Sequence, residues 1–216
     1  LQIVEALKNC KAFAVLERMD DPLSTTGNHL TREIKAAFCD AANGQNGQEK
    51  LTRIPQIYNG SAGLGSRDVR PGDLIAVVEN MIEEGQDYFC VGIDHALALK
   101  VTDDPDLRGP GTFSMRGHSI GGFGSVTTNK VIATIAGDVF GKDVQAYPKY
   151  GSEKKGLPTT YYLTIAENHI QLHAELKDVD LVVLNDTTAL FSGNPLVGLV
   201  PGGSIIMQST YAEPAD

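Results

Sequence analysis

The sequence predicts an α/β fold made of two domains, each built on a parallel sheet. Short apolar segments of strand length alternate with amphipathic helical segments along the 216 residues. The segment Ala12–Leu16 is apolar throughout, which is typical of a strand buried on both faces of a parallel sheet. The alternation restarts after a segment rich in charge, proline and glycine at residues 100–110. We therefore expect a linker there, with one domain on either side.

The first half of the chain predicts three helices and three strands. Apolar residues at helical spacing indicate helices at residues 1–9 and 30–41. A third helix has Pro71 in its first turn and Gly85 just past its end, the usual positions of these residues around a helix. The strands are expected at residues 12–16, 53–58 and 88–93.

The second half begins with a glycine-rich segment at residues 117–124. A helix is predicted from Ser125 to Phe140, with its inward face formed by Val131, Ile132, Ile135 and Val139. Four further strands are expected at residues 144–147, 159–166, 179–184 and 204–208.

Composition excludes several classes of protein. The formal net charge is −9, from 18 Lys and Arg against 27 Asp and Glu, so a nucleic-acid partner is not expected. Apolar runs stay well short of the ~18 residues of a membrane span, so no membrane partner is expected. The widely spaced Cys10, Cys39 and Cys90 argue against a disulfide framework and for a reducing compartment, hence a cytoplasmic location. The start at Leu1, within a helical pattern, suggests a fragment.

The strongest local signal is the glycine-rich segment that opens the predicted helix at Ser125. Backbone N–H groups and the positive end of a helix together attract an anion, so Gly122, Gly124 and Ser125 are candidate cofactor-binding residues. The segment lacks the Lys-Ser/Thr of a phosphate-binding P-loop and the third glycine of a dinucleotide fingerprint. A tight turn whose glycines only permit close packing is the alternative.

A second candidate is the loop at residues 147–158, which carries Lys149, Lys154 and Lys155 among Gly, Ser and Pro. Flexible ammonium groups suit the capture of phosphate, although lysines in a solvated loop also serve solubility alone.

The residues alone predict neither a catalytic group nor a metal site. His169 and His173 lie in a segment interpreted as a strand, where a spacing of four residues separates them by ~13 Å. His95 and His118 could belong to a site, but a hydrogen-bonded structural role is more common for a histidine. Cys90 lies in an apolar strand and is expected to be inert.

Three motifs occur in a fixed order: Asn-Gly-Ser-Ala-Gly-Leu-Gly-Ser-Arg-Asp-Val at 59–69, Gly-Gly-Phe-Gly-Ser-Val-Thr-Thr-Asn-Lys at 121–130, and Tyr-Gly-Ser-Glu-Lys-Lys-Gly at 150–156. They resemble segments of the 2-oxoacid:ferredoxin oxidoreductases, the pyruvate synthase family. The first is similar to the Gly-Leu-Gly segment of its transketolase-C-like domain, and the other two to the opening and the Tyr-Gly-Pro/Ser-Glu-x-Arg-Gly-Gly signature of its gamma domain.

The resemblance implies a transketolase C-terminal-like domain at residues 1–99, incomplete at its start. A linker at 100–110 then leads to a Rossmann-like gamma domain at 111–216, incomplete at its end. Such enzymes decarboxylate a 2-oxoacid on thiamine diphosphate, pass electrons through [4Fe-4S] clusters to ferredoxin or flavodoxin, and release acyl-CoA. The thiamine and cluster sites belong to other domains or subunits of an oligomer.

The same resemblance assigns this piece a part in scaffolding the enzyme and holding coenzyme A. It places Ser152, Lys154 and Lys155 near the CoA phosphates. Four positions depart from the family pattern: Phe123, Glu153, Lys155 and Leu157. They keep open an alternative, a non-catalytic structural or docking module of a larger redox protein such as a sulfite reductase flavoprotein subunit.

Overall fold

A computed structural model describes residues 2–47, 50–149, 158–173 and 175–210. The chain divides into two compact units, Leu1–Pro105 and Asp106–Asp216. The division falls inside the segment 100–110 that the sequence assigns to a linker. No helix in the described part of the chain is long and apolar enough to cross a membrane.

The first unit is built on a three-stranded parallel sheet of order β1-β2-β3. The predicted strand at 53–58 begins three residues later, after Pro55, since proline has no N–H to donate to a sheet. The elements of this unit are α1 (Gln2–Leu7), β1 (Ala12–Glu17), α2 (His29–Ala42), β2 (Gln56–Ser61), α3 (Pro71–Ile82) and β3 (Tyr88–Cys90).

Two buried clusters form the core of this unit. In one, Val15 of β1 packs with Val4 of α1 and with Ile34 and Phe38 of α2. The other joins β2, β3 and α3 and contains Tyr58, Ala62, Val77, Phe89 and Val91. The sheet is therefore covered by helices, as its apolar strands predict.

The second unit contains a five-stranded sheet of order β5-β6-β4-β7-β8. The pairs β4–β7 and β7–β8 are parallel, whereas β6 is antiparallel to both β4 and β5. The α/β fold class is confirmed, but this second sheet is mixed rather than wholly parallel. The elements are β4 (Phe113–Ile120), α4 (Ser125–Thr134), β5 (Asp143–Lys149), β6 (Pro158–Ala166), β7 (Val179–Leu184) and β8 (Leu199–Met207).

The antiparallel pair has a simple cause in the length of its connection. Residues 150–157 alone join β5 to β6, whereas a parallel pair needs a crossover of about a dozen residues or more. The number of residues between two apolar segments therefore predicts an antiparallel hairpin rather than a parallel crossover only when the ends of both strands are known.

The predicted inward face of the helix after the glycine-rich turn is wrong. Its four residues, Val131, Ile132, Ile135 and Val139, are between 41% and 70% exposed. The face turned to the sheet instead carries smaller side chains, one of them polar, and consists of Val126, Asn129, Ala133 and Ala136. After Thr134 the helix continues as one π-helical turn, Ile135–Val139.

Helix α2 has a long-range cap. Its N-cap residue, Asn28, makes no side-chain cap, and Glu17 at the end of β1 replaces it. The Glu17 carboxylate accepts from the Leu30 N–H at 2.8 Å, the Thr31 N–H at 3.0 Å and the Thr31 hydroxyl at 2.8 Å. Burial raises the pKa of Glu17, but these bonds and the nearby His29 outweigh burial and hold that pKa below 4.5.

We expect Glu17→Gln to lower the free energy of unfolding by about 1–2 kcal/mol at pH 7, because an amide cannot accept at both of its polar atoms. The Glu17 pKa is depressed in the folded state, so its contribution is complete above pH 4.5 and is lost as pH falls through the folded-state value. Urea denaturation should therefore show a difference in the free energy of unfolding between wild type and variant at pH 7, and this difference should become smaller towards pH 3. The exposed Glu33 on the same helix supplies the control, Glu33→Gln. A gap of equal size at both pH values would contradict this account.

Candidate functional site

The glycine-rich turn lies between β4 and the first residue of α4. Gly122 and Gly124 have φ angles of 101° and 83°, in the region that glycine adopts without strain. Gly124 directly precedes the helix, and among the described residues no side chain caps that end of α4. The first N–H groups of α4 and the positive end of its dipole are therefore available to an anion.

Short hydrogen bonds hold this turn in place. The hydroxyls of Ser119 and Ser125 lie 2.6 Å apart, which ties the end of β4 to the start of the helix. The Gly124 carbonyl accepts from the Thr128 N–H at 2.9 Å and from its hydroxyl at 3.3 Å. The structure thus places Gly122, Gly124 and Ser125 together at one helix end.

Two amide side chains lie at the same edge of the sheet. Because β4, β7 and β8 are parallel, their carboxyl ends meet there. The Asn185 N–H donates to the His118 carbonyl at 2.9 Å, and the Gln208 N–H to the Leu184 carbonyl at 2.9 Å. A cleft of about 430 Å³ opens beside α4, with polar walls formed by Ser125, Thr128, Asn129, Asn185 and Gln208. Its apolar walls are Met115, Phe123, Ile132, Leu181, Val183 and Ile206.

Tyr161 supports this cleft from β6. Its ring crosses Gly117 of β4, where an added Cβ would lie 1.9 Å from the ring. The Tyr161 hydroxyl accepts from the Asn185 side chain at 2.9 Å. Burial raises the pKa of Tyr161 and outweighs the lowering effect of that bond, so the phenol stays neutral. The position of Asn185 therefore depends on the absence of a side chain at Gly117.

The opposite face of the sheet carries two buried nitrogen groups. Arg116 donates to the carbonyls of Pro195, at 2.9 Å, and Val197. Burial and the neighbouring Arg116 guanidinium lower the pKa of His118, and the nearby Pro195 carbonyl offsets this only in part. His118 is therefore neutral, and it does not line the cleft.

Ser152, Lys154 and Lys155 lie outside the described residues. The ends of the strands that flank them are described. Pro158, the first residue of β6, pairs with Ile120, the last residue of β4. Residues 150–157 therefore connect two strands at the sheet edge where the glycine turn lies.

Lys149, the last residue of β5, is occupied by an ion pair. Its ammonium group lies 2.5 Å from the Glu175 carboxylate, which also accepts from the Tyr162 hydroxyl at 2.7 Å. Burial raises the pKa of Glu175, but Lys149 and Tyr162 together lower it more. Lys149 is thus paired within the second unit, whereas a lysine that binds phosphate needs an ammonium group without such a partner.

No group of three or more His, Cys, Asp or Glu side chains that could hold a metal converges within the described residues. The segment of His169 and His173 is irregular rather than a strand. His169 lies 2.9 Å from Asp143, and His173 lies 3.0 Å from Gln145, so the two rings serve different partners.

Sequence reasoning missed four residues of the cleft. Asn185 and Gln208 follow directly after strands β7 and β8, and the rule that ligands bind at carboxyl ends of parallel strands could have found them. Asn129 and Tyr161 carry no such signal, since only the packing of α4 and β6 on β4 brings them to the cleft.

The sequence model of the pyruvate ferredoxin/flavodoxin oxidoreductase family matches residues 114–216. The chain is 28% identical over 209 residues to the pyruvate-flavodoxin oxidoreductase of Enterobacter agglomerans, covering 94% of this chain and 17% of that protein. It is also 28% identical over 206 residues to the pyruvate:ferredoxin oxidoreductase of Moorella thermoacetica, with the same coverage of 94% and 17%. The chain therefore spans 17% of the length of these two relatives.

The second unit has relatives among separate gamma subunits. The common gamma subunit of the pyruvate/ketoisovalerate oxidoreductases of Thermococcus litoralis is 34% identical over 95 residues, covering 44% of this chain and 51% of that one. The crystal structure of the pyruvate oxidoreductase subunit PORC of Thermotoga maritima matches with a TM-score of 0.40 and 27% identity, over 46% of this chain and 51% of that one. Over residues 114–216, just under half of its length, the chain is similar to the pyruvate ferredoxin/flavodoxin oxidoreductase family, and 94% of it aligns with the two oxidoreductases named above.

Proposed function

We propose that the chain is part of an enzyme that oxidatively decarboxylates a pyruvate-like 2-oxoacid to acyl-CoA and CO2, with reduction of ferredoxin or flavodoxin. We further propose that its second unit helps to hold coenzyme A. The names of the relatives support the reaction. The assignment of coenzyme A rests on one observation. The glycine turn lies at the same sheet edge as the ends of β5 and β6, the strands joined by the lysine segment, residues 150–157.

The chemistry of this edge fits coenzyme A. The cofactor carries several phosphate charges, and a helix end without a side-chain cap offers N–H donors and a positive dipole to them. The register of β4 and β6 brings the start of the turn and the end of the lysine segment next to each other. On a chain of net charge −9, such a local cluster of donors is where an anion is best stabilised.

Within this proposal the residues of the chain bind and orient. Coenzyme A supplies the thiol that takes up the acyl group. The turn at Gly122 and Gly124 and the Ser125 hydroxyl position phosphate oxygens, while Ser152, Lys154 and Lys155 add a hydroxyl and two positive charges. Thiamine diphosphate and the iron–sulfur clusters are assigned to other domains or subunits of an oligomeric enzyme.

We expect Lys154→Ala combined with Lys155→Ala to raise the Kd of the chain for coenzyme A about 10-fold or more. Two charge contacts, each worth roughly 0.5–1.5 kcal/mol, account for this figure. Isothermal calorimetry of the full 216-residue chain measures it. The matched control replaces the exposed Lys50 and Lys100 of the first unit by alanine, which removes the same charge and should leave the Kd unchanged.

Two outcomes would contradict the proposal in different ways. An unchanged Kd in the Lys154/Lys155 variant would remove these lysines from the site while leaving the glycine turn in it. No binding by a well-folded wild type would contradict coenzyme A binding as a whole. It would favour the non-catalytic structural module that the departures at Glu153 and Leu157 already suggest.

A further inference from the structure

The first unit contains a cavity of its own, of about 500 Å³. It lies at the carboxyl ends of β1, β2 and β3, between the segments that follow these strands. Ligands of parallel α/β sheets bind at this edge as a rule. Nothing in the proposed role of the second unit uses this cavity.

A chain of buried hydrogen bonds shapes one wall of the cavity. The Asn28 N–H donates to Asn59 Oδ1 at 2.7 Å, and Asn28 Nδ2 donates to the Ser61 hydroxyl at 3.1 Å. The Ser61 hydroxyl in turn donates to Asp20 Oδ1 at 3.1 Å. Asn28, Asn59 and Ser61 are at most 4% exposed. The orientation of Asp20 is therefore set from inside the fold.

Two donors on the cavity wall lack an acceptor. Asn59 is 4% exposed and uses Oδ1 for Asn28, while its Nδ2 group has no hydrogen-bond partner among the residues that the structure describes. His95 accepts from the Leu97 N–H through Nδ1, which leaves its proton on Nε2.

The charge of the cavity is negative. Asp21 is neutralised by Arg32 at 3.0 Å, but Asp20 has no cationic partner within ion-pair distance among the described residues. Lys and Arg are both missing from the described lining. Burial, with the charge of Asp20, raises the pKa of the Cys90 thiol, which lines the same cavity and stays neutral.

Most of the remaining wall is apolar and comes from Pro22, Leu64, Phe89, Ile93 and Leu97, with Ser24, Thr25 and Tyr88 beside them. The apolar residues suit a hydrocarbon or aromatic body of a few carbon atoms more than a fully hydrated ion. The cavity therefore combines one unpaired carboxylate, two unused donors and an apolar surface.

We propose that this cavity binds a small organic ammonium compound with an apolar body and one hydrogen-bond acceptor. The ammonium group pairs with the Asp20 carboxylate, the body packs on Phe89 and Ile93, and the acceptor takes the Asn59 Nδ2–H or His95 Nε2–H bond. A carboxylate ligand is disfavoured, since it would face the Asp20 carboxylate and the described lining contains neither Lys nor Arg to pair with it.

Tyramine is the probe, because it has an ammonium group, an aromatic body and a phenol oxygen. Calorimetry on the full chain at low salt compares it with 4-ethylphenol, which lacks the charge, and 3-(4-hydroxyphenyl)propionate, which reverses it. We expect tyramine to bind at least 10-fold more tightly than either. Asp20→Asn should weaken tyramine binding about 10-fold, and Glu33→Gln, which removes an exposed carboxylate on α2, should not.

Equal binding of the three compounds, no binding of tyramine to the folded chain, or unchanged binding by Asp20→Asn would each overturn the proposal. Should that variant fail to fold, the comparison of the three compounds on the wild type still decides it. All these results are independent of coenzyme A binding.

Discussion

Replacing Gly117 by alanine is expected to destabilise the second unit by about 3 kcal/mol or more, the upper end of the usual cost of overpacking. The new Cβ would lie 1.9 Å from Cζ and 2.3 Å from Cε2 of Tyr161, so something must move. The Tyr161 ring is 4% exposed and packs with Met115 and Leu163, and its hydroxyl is held by Asn185. The ring can move only towards the cleft, and only by giving up these contacts.

Urea denaturation followed by circular dichroism measures this loss. Gly109→Ala is the matched control, because a Cβ there comes no closer than 3.7 Å to another residue. A second variant tests the cause: Tyr161→Leu added to Gly117→Ala should recover part of the stability, whereas Tyr161→Phe, which keeps the ring, should not. A Gly117→Ala chain as stable as wild type would show that β4 and β6 do not pack as the structure has them.

Local patterns predict most elements of this fold. The strand expected at 179–184 is observed as Val179–Leu184, and the helix expected from Pro71 is observed as Pro71–Ile82. Both segments carry their own end signals, so no distant contact is needed to place them. The antiparallel pairing of β5 with β6 depends on register across the sheet and cannot be obtained from either strand alone.

The helix after the glycine turn shows where periodicity misleads. Its large apolar residues and its small residues form two different stripes, and a count of apolar side chains selects the first. The sheet receives the second, with Asn129 donating to the Tyr162 carbonyl at 2.9 Å. The small side chains of Ala133 and Ala136 allow the helix to approach β5 and β6 closely. Which stripe faces inward is decided by the shape of the surface opposite.

The candidate site likewise has one part that local sequence predicts and another that only the fold brings together. The placement of Gly122, Gly124 and Ser125 at a helix end follows from a sequence of seven residues, because a turn and a helix start are local. The meeting of that turn with Asn185 and Gln208 follows from strand order, which no local pattern contains. Ser152, Lys154 and Lys155 stay a prediction, supported by the strand ends on either side of them.

The segment 100–110 is bound on both sides of the division between the units. Asp104 accepts from the Arg70 side chain at 3.0 Å and from the Gly72 N–H at 3.1 Å in the first unit. Arg108 joins Asp106 and Asp180 in the second, each at 2.8 Å. Charge and proline in a sequence are typical of a linker, yet here the charges serve to fasten the chain to each unit.

Arg108→Ala is expected to lower the free energy of unfolding of the second unit by about 2 kcal/mol, between the costs for an exposed and a buried ion pair. The Arg108 side chain is 11% exposed, whereas Asp106 and Asp180 are 39% and 32% exposed. Asp180 also accepts from the Ser114 N–H at 2.7 Å, which holds its carboxylate in place when the guanidinium is lost. Hydrogen bonds from Arg108 hold the pKa of Asp106 below its ordinary value, against burial.

Urea denaturation at pH 7 tests this expectation with two comparison variants. Arg108→Lys keeps one positive charge but not the planar fork that reaches both carboxylates, and should lose about half as much stability as alanine. Lys130→Ala, at an exposed position of α4, should change the free energy of unfolding by no more than about 0.5 kcal/mol. If Arg108→Ala behaved like Lys130→Ala, the Asp106–Arg108–Asp180 group would be a surface contact, and the segment before β4 would be free of the second unit.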